Sequence, residues 1–522
     1  MSSGGNDTGS GRGPDRPGDD PVDLNELEIA DGSDAPDGSD GSDGQSLGTK
    51  ASRGFLWANV GIFTRYVTAL ILAAVLARVL PTQDYAVMVT LMLITFYFDN
   101  ALDLGMGAAL VYEQEEGVSE RVQVAFTANV GLGLVLAVMA FVGAPFIADY
   151  FQQESFVAVF RCLAIVVVLS SLTTVPWSLF MRNMDFRRRA VVEVSRDLSR
   201  FAVTIGLAVA GFGAWSVMIG LLVAYSVALV LTWAVLRFRP TFRWDAAVVR
   251  QLFAYAWRVA GNRVLGILAL NGDYFVVGNR RNDQFATYYQ AFRLPEFVMG
   301  AQLNGLSAVL FPMYSRIRSQ GDEALREAMY KALRLVALFS LPVGVGLALV
   351  ARDSFSAFYG TENLVGIRTM EIISLAGAVT GLGFATGDLL MAINRPGILL
   401  RLNAVMVPIM LVSMWFAAPY GIPWVAGIHL AIQLVFVALR QLIVNRIIGA
   451  SGMLALGALV PGLVVAGFVT AAALPVRLLT DVGFLSLLAI AGAGALGGLL
   501  ALTVYPPARR ELTDLVTKLR GR

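Results

Sequence analysis

QLFAYAWRVAGNRVLGILALNGDYFVVGNRRNDQFATYYQAFRLPEFVMGAQLNGLSAVLFPMYS, residues 251–315, reads as two apolar helices that carry Arg258, Arg263, Asp273, Arg293 and Glu296 in otherwise membrane-grade sequence. A charge at the centre of a bilayer costs about 2.5–3.5 kcal/mol on insertion scales, so these side chains are expected to face protein or water rather than lipid. The same stretch is a second copy of the first helix pair. Adding 200 to positions in 51–115 aligns Trp57 with Trp257, Gly61 with Gly261, Ala86 with Ala286 and Gly105 with Gly305 without a gap. Ala69, Leu70, Ala101, Ala108 and Leu110 keep the same register with their counterparts. A duplicated helical unit with buried charge at its core is the outline of a transporter.

Composition sets the class. The chain has 522 residues, 56% of them hydrophobic and 15% charged, with a mean hydropathy of +0.66. Soluble domains carry about 25% charged residues, so this is an all-α, polytopic membrane protein. Its one cysteine, Cys162, excludes an internal disulfide and leaves thiol catalysis without support. A zinc centre needs several ligands, and the one histidine, His429, stands alone in an apolar run. No cofactor or nucleic-acid partner is expected.

The net charge of +2 hides two opposite regions. Residues 1–50 hold twelve acidic and three basic residues in a Gly-, Ser-, Asp- and Pro-rich run that cannot bury enough apolar surface to fold. They are read as a disordered, acidic cytoplasmic tail, and without an apolar core they are not a signal peptide.

About fourteen apolar runs long enough to span follow. They lie near 54–80, 85–111, 122–145, 156–180, 190–210 and 214–236, then 252–278, 285–312, 332–350, 369–392, 398–417 and 423–447, and last 453–474 and 483–505. The expected organisation is an N-terminal six-helix lobe over 51–236, a basic linker over 237–250, a C-terminal six-helix lobe over 251–447 and two extra helices over 448–505. A basic tail over 506–522 ends the chain. With six helices per copy both copies start on the same membrane side, so the pseudo-repeat is parallel, with a path between the lobes. Loops after even-numbered segments are rich in Arg, as in "MRNMDFRRR" and "RFRPTFRWDAAVVR", whereas "PTQD", "GFG" and "APYGIP" are not. Both termini are therefore expected in the cytoplasm.

Arg65, Arg263, Arg293 and Glu296 fall at mid-bilayer depth when counted at about 1.5 Å per residue. Arg293 and Glu296 share a helical face at i,i+3, as Asp99 and Asp103 do at i,i+4. One reading makes the arginines the lining of a wet cavity for an anionic group, with phosphate as the natural partner of a planar guanidinium. The bland reading is internal ion pairing that fixes helix packing. Asp99, Asp103 and Glu296 are candidates for ion coupling or gating. Glu193, Arg196, Asp197 and Arg200 are read first as a solvated helix end and second as a cytoplasmic ion network or gate, Arg78 and Asp273 as snorkelling helix-end residues, Glu371 and Asp388 as solvated at the interface, and His429 as a satisfied helix-packing residue. No nucleotide-binding Gly-rich loop and no long, acid-bearing outer loop is visible, which argues against an ATP-driven pump and against a membrane glycosyltransferase or glycan polymerase.

Taken together, "LARVLPTQDYAVM", "FDNALDLGMGAALVYE", "MRNMDFRRRAVVE", "GDYFVVGNRRNDQFATYYQAFRL" and "LFPMYSRI" resemble the polysaccharide exporters. These are Wzx-like, lipid-linked oligosaccharide flippases of the multidrug/oligosaccharidyl-lipid/polysaccharide exporter superfamily. The likeness covers about 55–315, and it departs from the family pattern at Ala86 and Ala286, where glycine is usual after the aromatic. The resemblance implies two lobes around a V-shaped cavity in the cell membrane and alternating access without catalysis. It also implies cationic residues, here Arg65, Arg258, Arg263 and Arg293, that engage the (pyro)phosphate of a lipid-linked glycan while the tail stays among membrane lipids. The rival readings are an ion-coupled small-molecule exporter, which needs an apolar or acidic cavity, and a scaffold for glycan-assembly enzymes.

Overall fold

The computed structural model describes residues 61–513, apart from 62, 104–117, 184, 361–362 and 512. The side chains of 118–120, 247–248, 251–264, 301–305 and 308 lie outside that description. The acidic tail and the last nine residues are likewise outside it.

All regular structure among the described residues is helical. The long helices are α1 (63–79), α2 (Thr82–Leu102), α3 (Val118–Tyr150), α4 (Leu163–Arg182), α5 (Phe186–Val209), α6 (Ala214–Leu236) and α7 (Ala246–Arg280). They continue as α8 (Asn282–Ile317), α9 (Asp322–Leu349), α10 (Leu364–Ala392), α11 (Pro396–Ala417), α12 (Ile422–Ile448), α13 (Val460–Leu479) and α14 (Phe484–Val504). Helices dominate because hydrocarbon offers no hydrogen bonds, so each backbone group must be paired within its own segment. Ten of the described helices are long and apolar enough to cross a membrane. The other four, α1, α5, α7 and α8, carry most of the charged residues discussed below.

Local chemistry sets the ends. Asp185 starts α5 by accepting from Arg188 N at 3.1 Å, and Asn363 starts α10 by accepting from Val365 N and Gly366 N. Gly449, at φ 65°, stops α12 in the left-handed conformation that glycine adopts without strain. Several helices outrun their apolar cores. α3 and α9 each gain polar turns at their starts, since a helix does not end where hydropathy does.

Packing in the two halves follows one scheme. α4 lies against α2, α3 and α6, and α5 packs on α6. Six helices later, α10 lies against α8, α9 and α12, and α11 packs on α12. α13 sits on α9 and pairs with α14. Two ion pairs fasten this addition: Arg477 to Glu371 at 2.8 Å and Arg334 to Glu511 at 2.7 Å. Glu371 is thus a structural partner rather than a solvated interfacial residue.

The halves meet at one end of the bundle. There the α3 terminus and the α7–α8 turn exchange hydrogen bonds: Gln152 Nε2 donates to Asn279 O and Asn279 Nδ2 to Tyr150 O, both at 2.8 Å. Arg78 reaches across to the Ala357 carbonyl, so it binds backbone rather than snorkelling into solvent. Beneath these polar contacts lies an apolar core drawn from both halves, with Leu76, Tyr85 and Phe151 against Val277, Phe285 and Tyr288. Gly278 makes it possible, because a Cβ there would stand 2.4 Å from the Phe151 ring. Toward the opposite end, the hydrogen bonds of the described residues include several within each half. Gln123 and Thr127 bind the 239–243 segment, and Arg318 binds the Ala392 carbonyl.

Candidate functional site

Between the halves, away from the closed end, lies a cavity of about 570 Å³ lined by α1, α2, α5, α6, α7 and α8. Its wall toward the closed end is apolar and aromatic, with Leu72, Met88, Met92, Tyr274 and Tyr289. Its charged lining is Arg65, Arg196, Arg200 and Arg293 with Asp99, Asp197 and Glu296.

Each charge is placed by its helix. Gly61 lets α1 approach α5 so closely that a Cβ would meet the Glu193 carboxylate at 2.3 Å. That approach brings Arg65, half-exposed to the cavity, to 3.4 Å from Glu193 and 4.0 Å from Asp197. Glu193 also pairs with Arg189 at 3.2 Å, and Arg196 pairs with Asp197 at 2.9 Å. On α8, Arg293 reaches Glu296 at 2.9 Å, the i,i+3 pair visible in the sequence, and lies 4.0 Å over the Tyr289 ring. Asp99 accepts from Ser170 Oγ at 2.6 Å and from the Tyr225 hydroxyl. Its own half of the bundle thus holds it with two hydroxyls.

Of the residues singled out in the sequence, Arg65, Arg293, Asp99 and Glu296 converge on this one cavity. Arg258 and Arg263 lie on α7, with side chains outside the described residues. Asp103 caps the end of α2, where its backbone N–H donates to Asp99 O at 3.0 Å, and it is not among the lining residues. The expectation that Arg196, Asp197 and Arg200 form a solvated helix end is overturned, since all three line the cavity. The signal was available. Glu193, Arg196, Asp197, Arg200 and Thr204 recur at three- and four-residue spacing on one face of α5, and a helix presents such a face to one neighbour.

Two further expectations change. Asp273 does not snorkel; it is 1% exposed between the halves and accepts from the Tyr288 hydroxyl at 2.8 Å. Asp388 is part-buried and accepts from Ser307 Oγ at 2.9 Å instead of facing the interface. His429 packs its ring against Phe292 with centroids 6.1 Å apart, as expected, but its Nδ1 is buried without a hydrogen-bond partner among the described residues.

The fold has known counterparts. The chain superposes on the lipid II flippase MurJ in an inward closed conformation with a TM-score of 0.72, covering 88% of this chain and all of that one at 14% identity. An inward-facing multidrug resistance MATE family transporter superposes with a TM-score of 0.61 over 75% of this chain and 98% of that one at 15% identity. In sequence, it is 21% identical to the teichuronic acid biosynthesis protein TuaB of Bacillus subtilis (strain 168) over 67% of this chain and 73% of the relative. It is 23% identical to the lipopolysaccharide biosynthesis protein WzxC of Escherichia coli (strain K12), over 69% and 73%. The family described as "Polysaccharide biosynthesis protein" matches residues 75–365, a span that runs from α1 to the start of α10 and takes in most of the cavity wall. By this match over more than half its length, the chain belongs to that polysaccharide biosynthesis protein family.

Proposed function

We propose that this protein is a flippase that moves a lipid-linked oligosaccharide or polysaccharide precursor across the cytoplasmic membrane by alternating access. The observation that carries this reading is the cavity between the halves, which Arg65, Arg196, Arg200 and Arg293 all line. Guanidinium groups match phosphate oxygens in charge and planar geometry. The head of the precursor sits in the cavity and its lipid tail stays in the bilayer. The protein performs no covalent step; it offers its substrate a hydrated, charged path through a low-dielectric barrier. A multidrug-type exporter of similar fold would be served better by an apolar or acidic hollow.

The charge-bearing helices α1, α5, α7 and α8 cross the membrane with the ten apolar ones, for fourteen spans. The recurrence of one packing scheme after six helices supports two lobes, 51–236 and 251–447, joined by the 237–250 linker and followed by the added pair over 448–505. The end rich in Arg187, Arg188, Arg189, Arg237, Arg239 and Arg243 faces the cytoplasm, together with both termini. The hydrogen-bonded closure is then external, and the cavity faces inward. Arg65 and Arg293, with Arg258 and Arg263 on α7, attract the anionic head. Asp99 and Glu296 are the carboxylates positioned to couple movement to an ion gradient.

Reconstitution tests the reading. Purified protein in proteoliposomes is expected to speed transbilayer movement of a fluorescent lipid-linked sugar diphosphate. If the rate equals that of protein-free liposomes while a reference flippase works in parallel, the proposal fails.

A further inference from the structure

The cavity arginines are not equivalent. Arg65 has Glu193 and Asp197 beside it, Arg196 has Asp197, and Arg293 has Glu296 and the face of Tyr289. Arg200 lines the same cavity with no ion pair and no hydrogen bond to any described residue, and its Nε is buried without a partner. The charged and phenolic groups that act on it are Tyr289, Tyr225, Asp197 and Arg196. Those groups are already engaged: the Tyr225 hydroxyl binds Asp99, that of Tyr289 binds the Met92 sulfur at 3.2 Å, and Asp197 serves Arg65 and Arg196.

Position sharpens the contrast. At about 1.5 Å per residue, Arg200 lies about 21 Å along α5, well beyond the reach of a side chain snorkelling back to the helix start. Arg440 also makes no ion pair or hydrogen bond with a described residue, but the Asp388 carboxylate acts on it. It lies over the Phe436 ring at 4.9 Å and against Gly383, and it is not among the residues that line this cavity. A cation held deep in the molecule is normally given a counter-charge. Where the fold supplies none and leaves the group at an opening, the missing anion comes from outside.

We propose that Arg200 is the phosphate anchor of the cavity, taking the first phosphate of the lipid-linked (pyro)phosphate in a bidentate pair. This rests on the flippase reading and deepens it by dividing the labour among the arginines. Arg65, Arg196 and Arg293 meet the head already paired with carboxylates, Asp197 being shared by Arg65 and Arg196, while Arg200 carries the positive charge that the substrate completes. A guanidinium suits the task because its fork meets two phosphate oxygens at once, which an ammonium does not.

The test uses full-length protein in nanodiscs and three probes: polyprenyl diphosphate, uncharged polyprenol and phosphatidylglycerol. Wild-type protein is expected to bind the diphosphate more tightly than either other lipid. Arg200→Gln weakens diphosphate binding by roughly tenfold or more, the loss of one charge-assisted pair, and leaves polyprenol binding unchanged. Arg200→Lys falls between the two, because it restores charge without the fork. Without ligand, Arg200→Gln melts no lower than wild type, since an unpaired buried cation has been removed. Wild-type affinity for the diphosphate in Arg200→Gln overturns the anchor, as does an equal loss for polyprenol, which marks a merely structural role. Equal wild-type affinity for phosphatidylglycerol, lost to the same extent in Arg200→Gln, assigns the anion to a membrane headgroup and overturns the substrate assignment. If wild-type protein ignores the diphosphate altogether, the flippase reading itself falls first.

Discussion

Glu193 stands 3.4 Å from Arg65 and 3.2 Å from Arg189, with 5% of its side chain exposed. One buried carboxylate thus balances two guanidinium groups on neighbouring helices, and removing its charge leaves both cations facing each other. Glu193→Gln is expected to destabilise the protein by about 1–3 kcal/mol, read as a lowered unfolding midpoint in detergent; Arg65 is half-exposed, which keeps the loss below that of a fully buried pair. Arg65→Ala and Arg293→Ala act on the cavity instead. Each is expected to slow flipping in proteoliposomes by about tenfold while the protein stays monodisperse. Normal rates in both would remove these arginines from the substrate path. Much of this was legible in the residues themselves, since arginine inside an apolar helix already requires a polar surrounding. What was not legible is which arginine has a partner. Glu193 and Asp197 serve Arg65 only because Gly61 lets α1 come close to α5.

At the scale of elements, the closed end depends on how α3, α7 and α8 fit together. Gly278 accepts the Phe151 ring in the space a side chain would fill, and the ring stacks on Phe285 with centroids 5.7 Å apart. A branched residue at Gly278 acts as a wedge between the halves. Gly278→Val is expected to open this end, seen as faster hydrogen exchange over 275–285 and a shift of conformer populations by about 1–3 kcal/mol; unchanged protection would show that the closure has slack. The added pair is held the same way. A Cβ on Gly462 would come within 2.4 Å of the Ala337 carbonyl oxygen, so α13 packs on α9 through bare backbone. Gly462→Leu should loosen α13 from α9 and expose the Arg334–Glu511 clamp to limited proteolysis, with lower thermal stability as the companion readout. The repeat seen at an offset of 200 residues foretold that α1 and α2 have counterparts in α7 and α8. It did not foretell that the two turns would close on each other at one end, because a repeat specifies each unit and leaves the contact between units open.

For the molecule as a whole, the cavity between the halves and the hydrogen-bonded contact that joins them at one end set the frame. The acidic stretch over 1–50 lies outside the described residues, and the sequence alone assigns it no part in the path. Removal of residues 1–48 is expected to leave the flipping rate within about twofold of the full-length chain, a change too small to represent a lost contact; a dead truncation would make the tail part of the machinery. By itself the sequence determined the membrane class, the helical content, the duplicated unit and the presence of charge at mid-depth. All of these follow from local hydropathy and from the need to pair every backbone group in lipid. Only the tertiary structure decided that α5 lines the cavity rather than ending in solvent, that Asp273 is buried, and that Arg200 alone among the described cavity arginines forms no ion pair. Those outcomes depend on neighbours far apart in the chain, and electrostatic balance is a property of the neighbours a fold brings together.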